Sequence, residues 1–416
     1  MRYLRSGVLA AATALVLCGV VASVSAKSVV PANEPAKPPK AEEPEAAIKI
    51  KVYEWGVETV NWDGSAESPA EKDVPAFYYD ASEVPVGVKP EPLEPEKPPV
   101  RPEAPVRKKP VVYFDCEQDY HFDLEIKFSD GKLTWMYPMP TRLVDESTVQ
   151  WDEIRLISDH MEHMKAPAIP ALADVKVDHW AHFSRFPSTS SLVVNGEHER
   201  FIFYEGTNTA APEVDIFKDA EGRYILRNYC AWPIFDVRAA FAAKDGIENL
   251  WAERVEAASG ETPTEIQLRP IPPKPADPQQ LLKEVQRAGL LEAQGKAFTR
   301  CWDKAITGAN SGTLSYRRDP AMLDAAMTLT VTGAKLESAR VGYMLISKID
   351  LSKQAEIDAL AATAAGGDAE AVKKLSALGM AGFGAVRRAI ANKDLGLKQR
   401  LALAKVMKEL DAARRK

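Results

Sequence analysis

The chain has 416 residues, 46% of them hydrophobic, and a formal charge of −6 at neutral pH. That length holds about two to three domains at roughly 150 residues each. An acidic balance leaves no electrostatic footprint for nucleic acid, and no basic amphipathic stretch argues for a membrane surface.

Arg2 and Arg5 form a positive leader, Val8 to Val21 is almost uninterruptedly apolar, and Val24-Ser25-Ala26 places small residues at a cleavage site. The pattern predicts a signal peptide over 1–26, cut after Ala26. The apolar run is shorter than the ~20 residues a spanning helix needs, so no membrane insertion is expected after cleavage. Leu17 is too bulky for the small residue that lipidation at Cys18 would require. Loss of two arginines takes the charge from −6 to −8. Export predicts a periplasmic or extracellular, oxidising location. Cys116, Cys230 and Cys301 would remain, an odd set that allows at most one bridge. None belongs to a Cys-x-x-Cys pair, and apolar neighbours favour buried thiols.

Residues 27–47, rich in Pro, Ala, Glu and Lys, cannot bury a core and read as a disordered linker. Ile48 to Val60 follows as a strand, with Trp55-Gly56 predicting a bend or bulge. A short aromatic strand is expected over 76–79. Residues 85–109 carry proline at nearly every third position and read as an extended, solvated insertion. Pro110 to Phe114 is then a continuous apolar run. Phe122, Leu124, Ile126 and Phe128 alternate with charged residues, the period of a half-buried strand. Ser129-Asp-Gly-Lys132 is a turn signal leading to Leu133–Tyr137, so a hairpin in an antiparallel sheet is expected.

Val149–Ile157 reads as another strand. Ser191–Asn195 with Arg200–Tyr204, and Val214–Phe217 with Tyr224–Leu226, read as hairpins; Trp232–Val237 and Thr264–Leu268 complete the series. The fold class expected is mainly β with α: an antiparallel β-sandwich or partly open barrel over 48–272. An α+β extension over 278–352 is expected to pack on it, with two helices from Asp277 to about Trp302 and strands at 313–316, 327–331 and 341–349. A helical tail over 353–416 contains one HEAT-like pair, its first helix capped by Asp368 and ended at Gly379.

Histidine is the most suggestive chemistry. His160 and His163 share one helical face, with His179 and His182 close behind; four imidazoles with neighbouring carboxylates could ligate a metal. The second pair, however, reads as strand, where i and i+3 point to opposite faces. Neither pair is His-Glu-x-x-His. No Gly-x-Ser-x-Gly elbow occurs, and the Gly289–Ala297 stretch fails as a phosphate loop by length and by its final residue. No cofactor is therefore expected. Six tryptophans could serve as sugar platforms, but Trp135 and Trp151 lie in strand patterns and read as core. Trp62, in a polar loop beside Asp63 and Gly64, is the candidate ligand contact.

The segments YEWGV (Tyr53–Val57), RKKPVVYF (Arg107–Phe114) and RFIFYEG (Arg200–Gly206), with the helix pair over Leu281–Trp302, resemble a family of uncharacterised exported bacterial proteins. The resemblance covers about 48–350 and implies that this span is inherited as one unit; it carries no known activity and hence no catalytic residue. The function expected is a non-enzymatic binding or cell-envelope scaffolding module with an envelope protein or glycan partner. The alternative is an exported metal-assisted hydrolase using the histidine region.

Overall fold

The computed structural model describes residues 48–65, 78–81, 87, 106–108, 110–158, 180–185, 190–207, 211–260, 262–271, 279–308, 310–392 and 394–414. In chain order the first half gives β1 (Lys49–Asn61), β2 (Tyr79–Asp80), β3 (Val106–Lys108), β4 (Val111–Asp115), β5 (Tyr120–Phe128), β6 (Leu133–Tyr137), β7 (Arg142–Asp145), β8 (Thr148–Ile157), α1 (Trp180–Ser184), β9 (Ser191–Val194), β10 (Glu197–Glu199) and β11 (Ile202–Gly206). The second half gives β12 (Val214–Lys218), β13 (Tyr224–Asn228), β14 (Ile234–Ala243), β15 (Gly246–Val255), β16 (Thr264–Gln267), β17 (Arg269–Pro270), α2 (Gln280–Arg287), α3 (Glu292–Thr307), β18 (Thr313–Arg318), α4 (Pro320–Ala326), β19 (Met327–Val331) and β20 (Lys335–Ser347). Helices α5 (Gln354–Ala365), α6 (Ala369–Ala377), α7 (Gly379–Ala391) and α8 (Leu397–Arg414) end it.

The molecule is mainly β and sandwich-like, built on several mostly antiparallel sheets, with no closed barrel among the described residues. The largest sheet runs β17-β15-β14-β18-β20-β1-β3-β11-β6-β2, with β4 beside β1 and β11. One of its faces meets the second sheet, β10-β9-β8-β5-β19 with β7, across a core that includes Ile50, Val52, Phe114, Leu124, Ile126 and Trp151. Its other face carries Trp55, Tyr113, Phe203 and Tyr343 against Leu281, Val285 and Phe298 of α2 and α3. With both faces covered, β1 is buried at most positions from Val52 to Asn61 instead of alternating between buried and exposed.

The Ser129–Lys132 turn does not close a hairpin. β5 pairs with β8 and β19 in one sheet, whereas β6 pairs with β11 and β2 in the other. The turn is a corner of the sandwich: Phe122–Phe128 and Leu133–Tyr137 have the same period, but their apolar faces bury against different layers. The 191–204 hairpin is corrected in the same way. β9 turns at Asn195-Gly196 to pair with β10, and β11 crosses to the large sheet beside β4 and β6. The β12–β13 hairpin forms as expected and joins β16 in a third, small sheet. β15 escapes sequence detection because only Leu250 and Val255 of its ten residues are buried.

Gly56 is not a bulge. β1 holds an unbroken parallel register with β20 from Lys49↔Lys335 to Asn61↔Ser347. On its other edge β1 changes partner, from β4 at Trp55 to β3 at Glu58. A Cβ on Gly56 would stand 3.1 Å from Pro110 Cα. A side chain there would press on the Pro110 backbone by a few tenths of an ångström, so the close approach favours glycine.

Residues 278–352, expected as an extension packed on the sandwich, are woven into it. β18 and β20 lie between β14 and β1, and β19 edges the second sheet. The expected helix start at Asp277 and Pro278 lies outside the described residues; α2 begins at Gln280, and Gly289 follows it at φ +111° as a helix-ending glycine. The tail likewise shares one core with the sheets. Ile357, Leu375, Phe383, Val386 and Leu403 pack with Val60, Trp62, Val214, Ile216 and Leu314. Asp368 caps α6 as expected, accepting from the amides of Glu370 and Ala371.

Charged residues are stitched through the centre. Register sets Glu54 opposite Arg340, whose Nε donates to Glu54 Oε2 at 2.6 Å while the Tyr204 hydroxyl donates to Glu54 Oε1 at 2.7 Å. Two pleats further along β1, Arg318 binds Glu58 and donates through Nε and Nη2 to Glu213 at 3.0 and 2.5 Å. A cavity of about 40 Å³ lies between these two clusters. It has room for water but not for a substrate.

Candidate functional site

The larger cavity, about 590 Å³, opens where the ends of β1, β12, β14 and β20 meet the first helices of the tail. That volume falls in the range of small-molecule sites. Its floor is aromatic. Tyr224 and Phe241 stack at 4.7 Å with an interplanar angle of 11°, and the Trp62 ring, 4% exposed, lies beside them in the shared core. The alternation of β13 and β14 supplies the first two. Trp62 follows β1 directly, and its amide bonds the Ser347 carbonyl at 2.8 Å, extending the β1–β20 ladder by one step.

The rim is polar and comes from turns. Asp63 Oδ1 accepts from the Ser65 amide at 3.0 Å and the Ser65 hydroxyl at 2.7 Å. Lys348 Nζ donates to the same hydroxyl at 2.7 Å. Asp350 Oδ1 accepts from the amide and hydroxyl of Ser352 at 3.1 and 2.5 Å, and Lys353 Nζ stands 3.6 Å from Asp350 Oδ2. Lys218 Nζ sits over the Tyr224 ring at 4.6 Å. Gln354 makes both bonds to the Lys218 backbone, donating to its carbonyl at 2.9 Å and accepting from its amide at 2.8 Å. That pair of bonds ties the start of α5 to the end of β12.

Backbone contacts hold the helical wall of the cleft in place. The Ala381 amide donates to the Trp62 carbonyl at 3.0 Å. Gly64 and Gly379, both with positive φ, approach so closely that a Cβ on Gly379 would lie 2.5 Å from Gly64 Cα. Only residues without side chains can meet in this way.

Burial raises the cost of charge on the Asp63 carboxylate, but the bonds from Ser65 and the nearby Lys348 ammonium outweigh it and hold the group below the ordinary aspartate range. The Ser352 hydroxyl bond does the same for Asp350. Both are ionised at neutral pH, with Oδ1 of each already engaged in its own turn. Neither is placed to act as a general acid.

Of the histidines singled out by sequence, His160, His163 and His179 lie outside the described residues. His182 stands on α1, which is helical from Trp180 where a strand was expected. Among the described residues no group of three His, Cys, Asp or Glu side chains converges as metal ligands would. Cys116, Cys230 and Cys301 are unpaired thiols. Trp62 lines the cleft, although its ring is floor and not an exposed platform. Lys218 ends β12, and Lys348 and Lys353 flank the connection from β20 to α5, so the three carry no common sequence signal.

No family model and no curated protein matches the chain. The solved structures that align with it include two of the yeast delta-COP-I mu-homology domain, one complexed with a Dsl1 WxWxV peptide. Each is 8% identical and covers 74% of this chain and 99% of its own, at a TM-score of 0.26. A likeness that low carries no argument about fold or function.

Proposed function

We propose that the chain is an exported, non-enzymatic binding protein of the cell envelope, and that its ligand, a glycan of the envelope, sits in the cleft floored by Trp62, Tyr224 and Phe241. The observation that supports this reading is the cleft itself: about 590 Å³, with an apolar floor and a rim of lysines, serines and two aspartates already engaged in turns. Apolar walls with a few convergent polar groups are what a saccharide needs, since its rings offer C–H faces as well as hydroxyls. The leader over residues 1–26 supports the location.

Ser311 is exposed on the cleft wall and offers the cleanest probe. Ser311→Trp is expected to fill the cleft while leaving the thermal midpoint within about 2 °C, as surface substitutions usually do. Soluble fragments of envelope polysaccharide should protect the backbone amides around 311–312 and 348–353 from hydrogen exchange in the native protein and not in the variant. Equal protection in both would refute the assignment. Release of new reducing ends from the fragments would refute the non-enzymatic part.

A further inference from the structure

We infer that the ligand of this cleft is an acidic saccharide, its carboxylates held by Lys218, Lys348 and Lys353. This rests on the cleft being the binding site and goes further by specifying the charge and class of what enters.

The distribution of partners points to it. Three ammonium groups come from two separate chain segments, the end of β12 and the β20–α5 connection, to the rim of one cavity. Lys353 is 3.6 Å from Asp350 and its side chain is 65% exposed. The ammonium of Lys348 uses one donor on the Ser65 hydroxyl, and that of Lys218 lies over an aromatic face. Among the described residues neither of these two has a carboxylate within ion-pair distance. The two rim aspartates spend Oδ1 on their own serines. The rim therefore carries three ammonium groups against two carboxylates, an excess of positive charge that favours an anion over a neutral or cationic ligand.

Lys348 is also held in an unusual backbone state. Its φ is +56°, in the left-handed region that non-glycine residues seldom occupy. The neighbours impose this: Ser347 is the last residue of the β1–β20 register, and the Ile349 amide already bonds the Gly312 carbonyl at 2.9 Å. The kink brings the Lys348 side chain to Ser65 at the cleft edge. Strain retained at a cavity mouth is where function is commonly found.

The choice among anions follows from the rest of the molecule. A net charge of −6 repels a long polyanion such as nucleic acid. The half-buried Leu351 and Leu378 in the lining favour a ligand with an apolar face, which a bare inorganic anion lacks. Serine hydroxyls at 311 and 352 add partners for ring hydroxyls. A uronate oligomer of two or three rings meets all of these requirements, with low charge density and an apolar ring face.

The test is isothermal titration calorimetry on the full-length secreted chain with trigalacturonate, its methyl ester and glucose 6-phosphate. Trigalacturonate should bind, the uncharged ester at least about tenfold more weakly, and Lys218→Ala/Lys348→Ala should cost the acid about a hundredfold, near tenfold for each charge-assisted contact. Raising salt should weaken the acid and leave the ester unchanged. No detectable binding of trigalacturonate, or tighter binding of glucose 6-phosphate, would overturn the inference. So would an ester that binds as well as the acid and ignores the double substitution; if Ser311→Trp still abolished it, the cleft would stand as the site and only the acidic class would fall. Binding of every probe untouched by Ser311→Trp would instead remove the cleft itself.

Discussion

Arg318 offers the sharpest test of how the central sheet is held together. Its side chain is 4% exposed and is the counter-charge for two buried carboxylates, Glu58 at 3% and Glu213 at 9% exposure. Glu213 also accepts from the Tyr316 hydroxyl at 2.6 Å, so the cluster joins β1, β18 and the segment before β12. Arg318→Met keeps much of the volume and removes the charge and five donors. Both carboxylates are then left in a site from which water is largely excluded, and deleting one member of such a cluster costs about 3–5 kcal/mol. A typical domain has only about 5–15 kcal/mol in total. Urea unfolding followed by tryptophan fluorescence should show the midpoint falling with little change in slope. Adding Glu58→Gln and Glu213→Gln to Arg318→Met should recover more than half of the loss, because the uncompensated charges are then gone. A single-variant loss below about 0.5 kcal/mol, or a triple variant no more stable than the single one, would refute the account.

Gly379→Ala should loosen the helical wall, because its new Cβ meets the Gly64 backbone in a positive-φ position; a loss of about 1–3 kcal/mol and faster proteolysis within 354–414 are expected, and unchanged proteolysis would argue against the glycine contact. The thiols should be slow to alkylate in the native protein. Burial pushes Cys301 up to about 12 and raises Cys230 as well, and Cys116 is 5% exposed, so iodoacetamide at pH 8 should label them only after unfolding; rapid native labelling would contradict the packing. Asp63 and Asp350 have depressed values, so the stability they lend is full above the ordinary carboxylate value of about 4 and is lost as pH falls through their lower folded values. Trigalacturonate binding should accordingly show no transition from these groups between pH 5 and 7, and Asp63→Asn should leave its midpoint in acid, not at neutrality.

Much of the fold was legible one strand at a time. The alternation of Phe122, Leu124, Ile126 and Phe128 predicts β5 within two residues of its observed start, and Asp219-Ala-Glu-Gly222 predicts the β12–β13 turn. Periodicity says which face of a strand is apolar but not which layer covers it. For that reason the Asp130-Gly131 turn reads as a hairpin although it carries the chain from one sheet to the other. The buried arginines were illegible for a related reason. Arg318 and Arg340 look like ordinary surface residues of amphipathic strands until β1 brings Glu58 and Glu54 alongside, 260 and 286 positions away in sequence. The tail reads as an appendage because its helices carry ordinary amphipathic stripes, and a stripe does not name its partner.

The sequence by itself determined the class of structure: a mainly β body, a run of helices at the C-terminal end, and an acidic overall charge. Those properties are local or compositional, set by side-chain period, turn chemistry and charge. The tertiary structure alone decided that the segments 313–318 and 335–347 form the middle of the large sheet and that the helices share its core. It alone also brought Lys218 together with Lys348 and Lys353 at one cleft beside Trp62. Such placements depend on contacts between residues far apart in the chain, where no local period carries information. Trp62 was singled out for its polar neighbours; what brings it to a cavity is the last rung of a parallel strand pair that closes only when the chain is nearly complete.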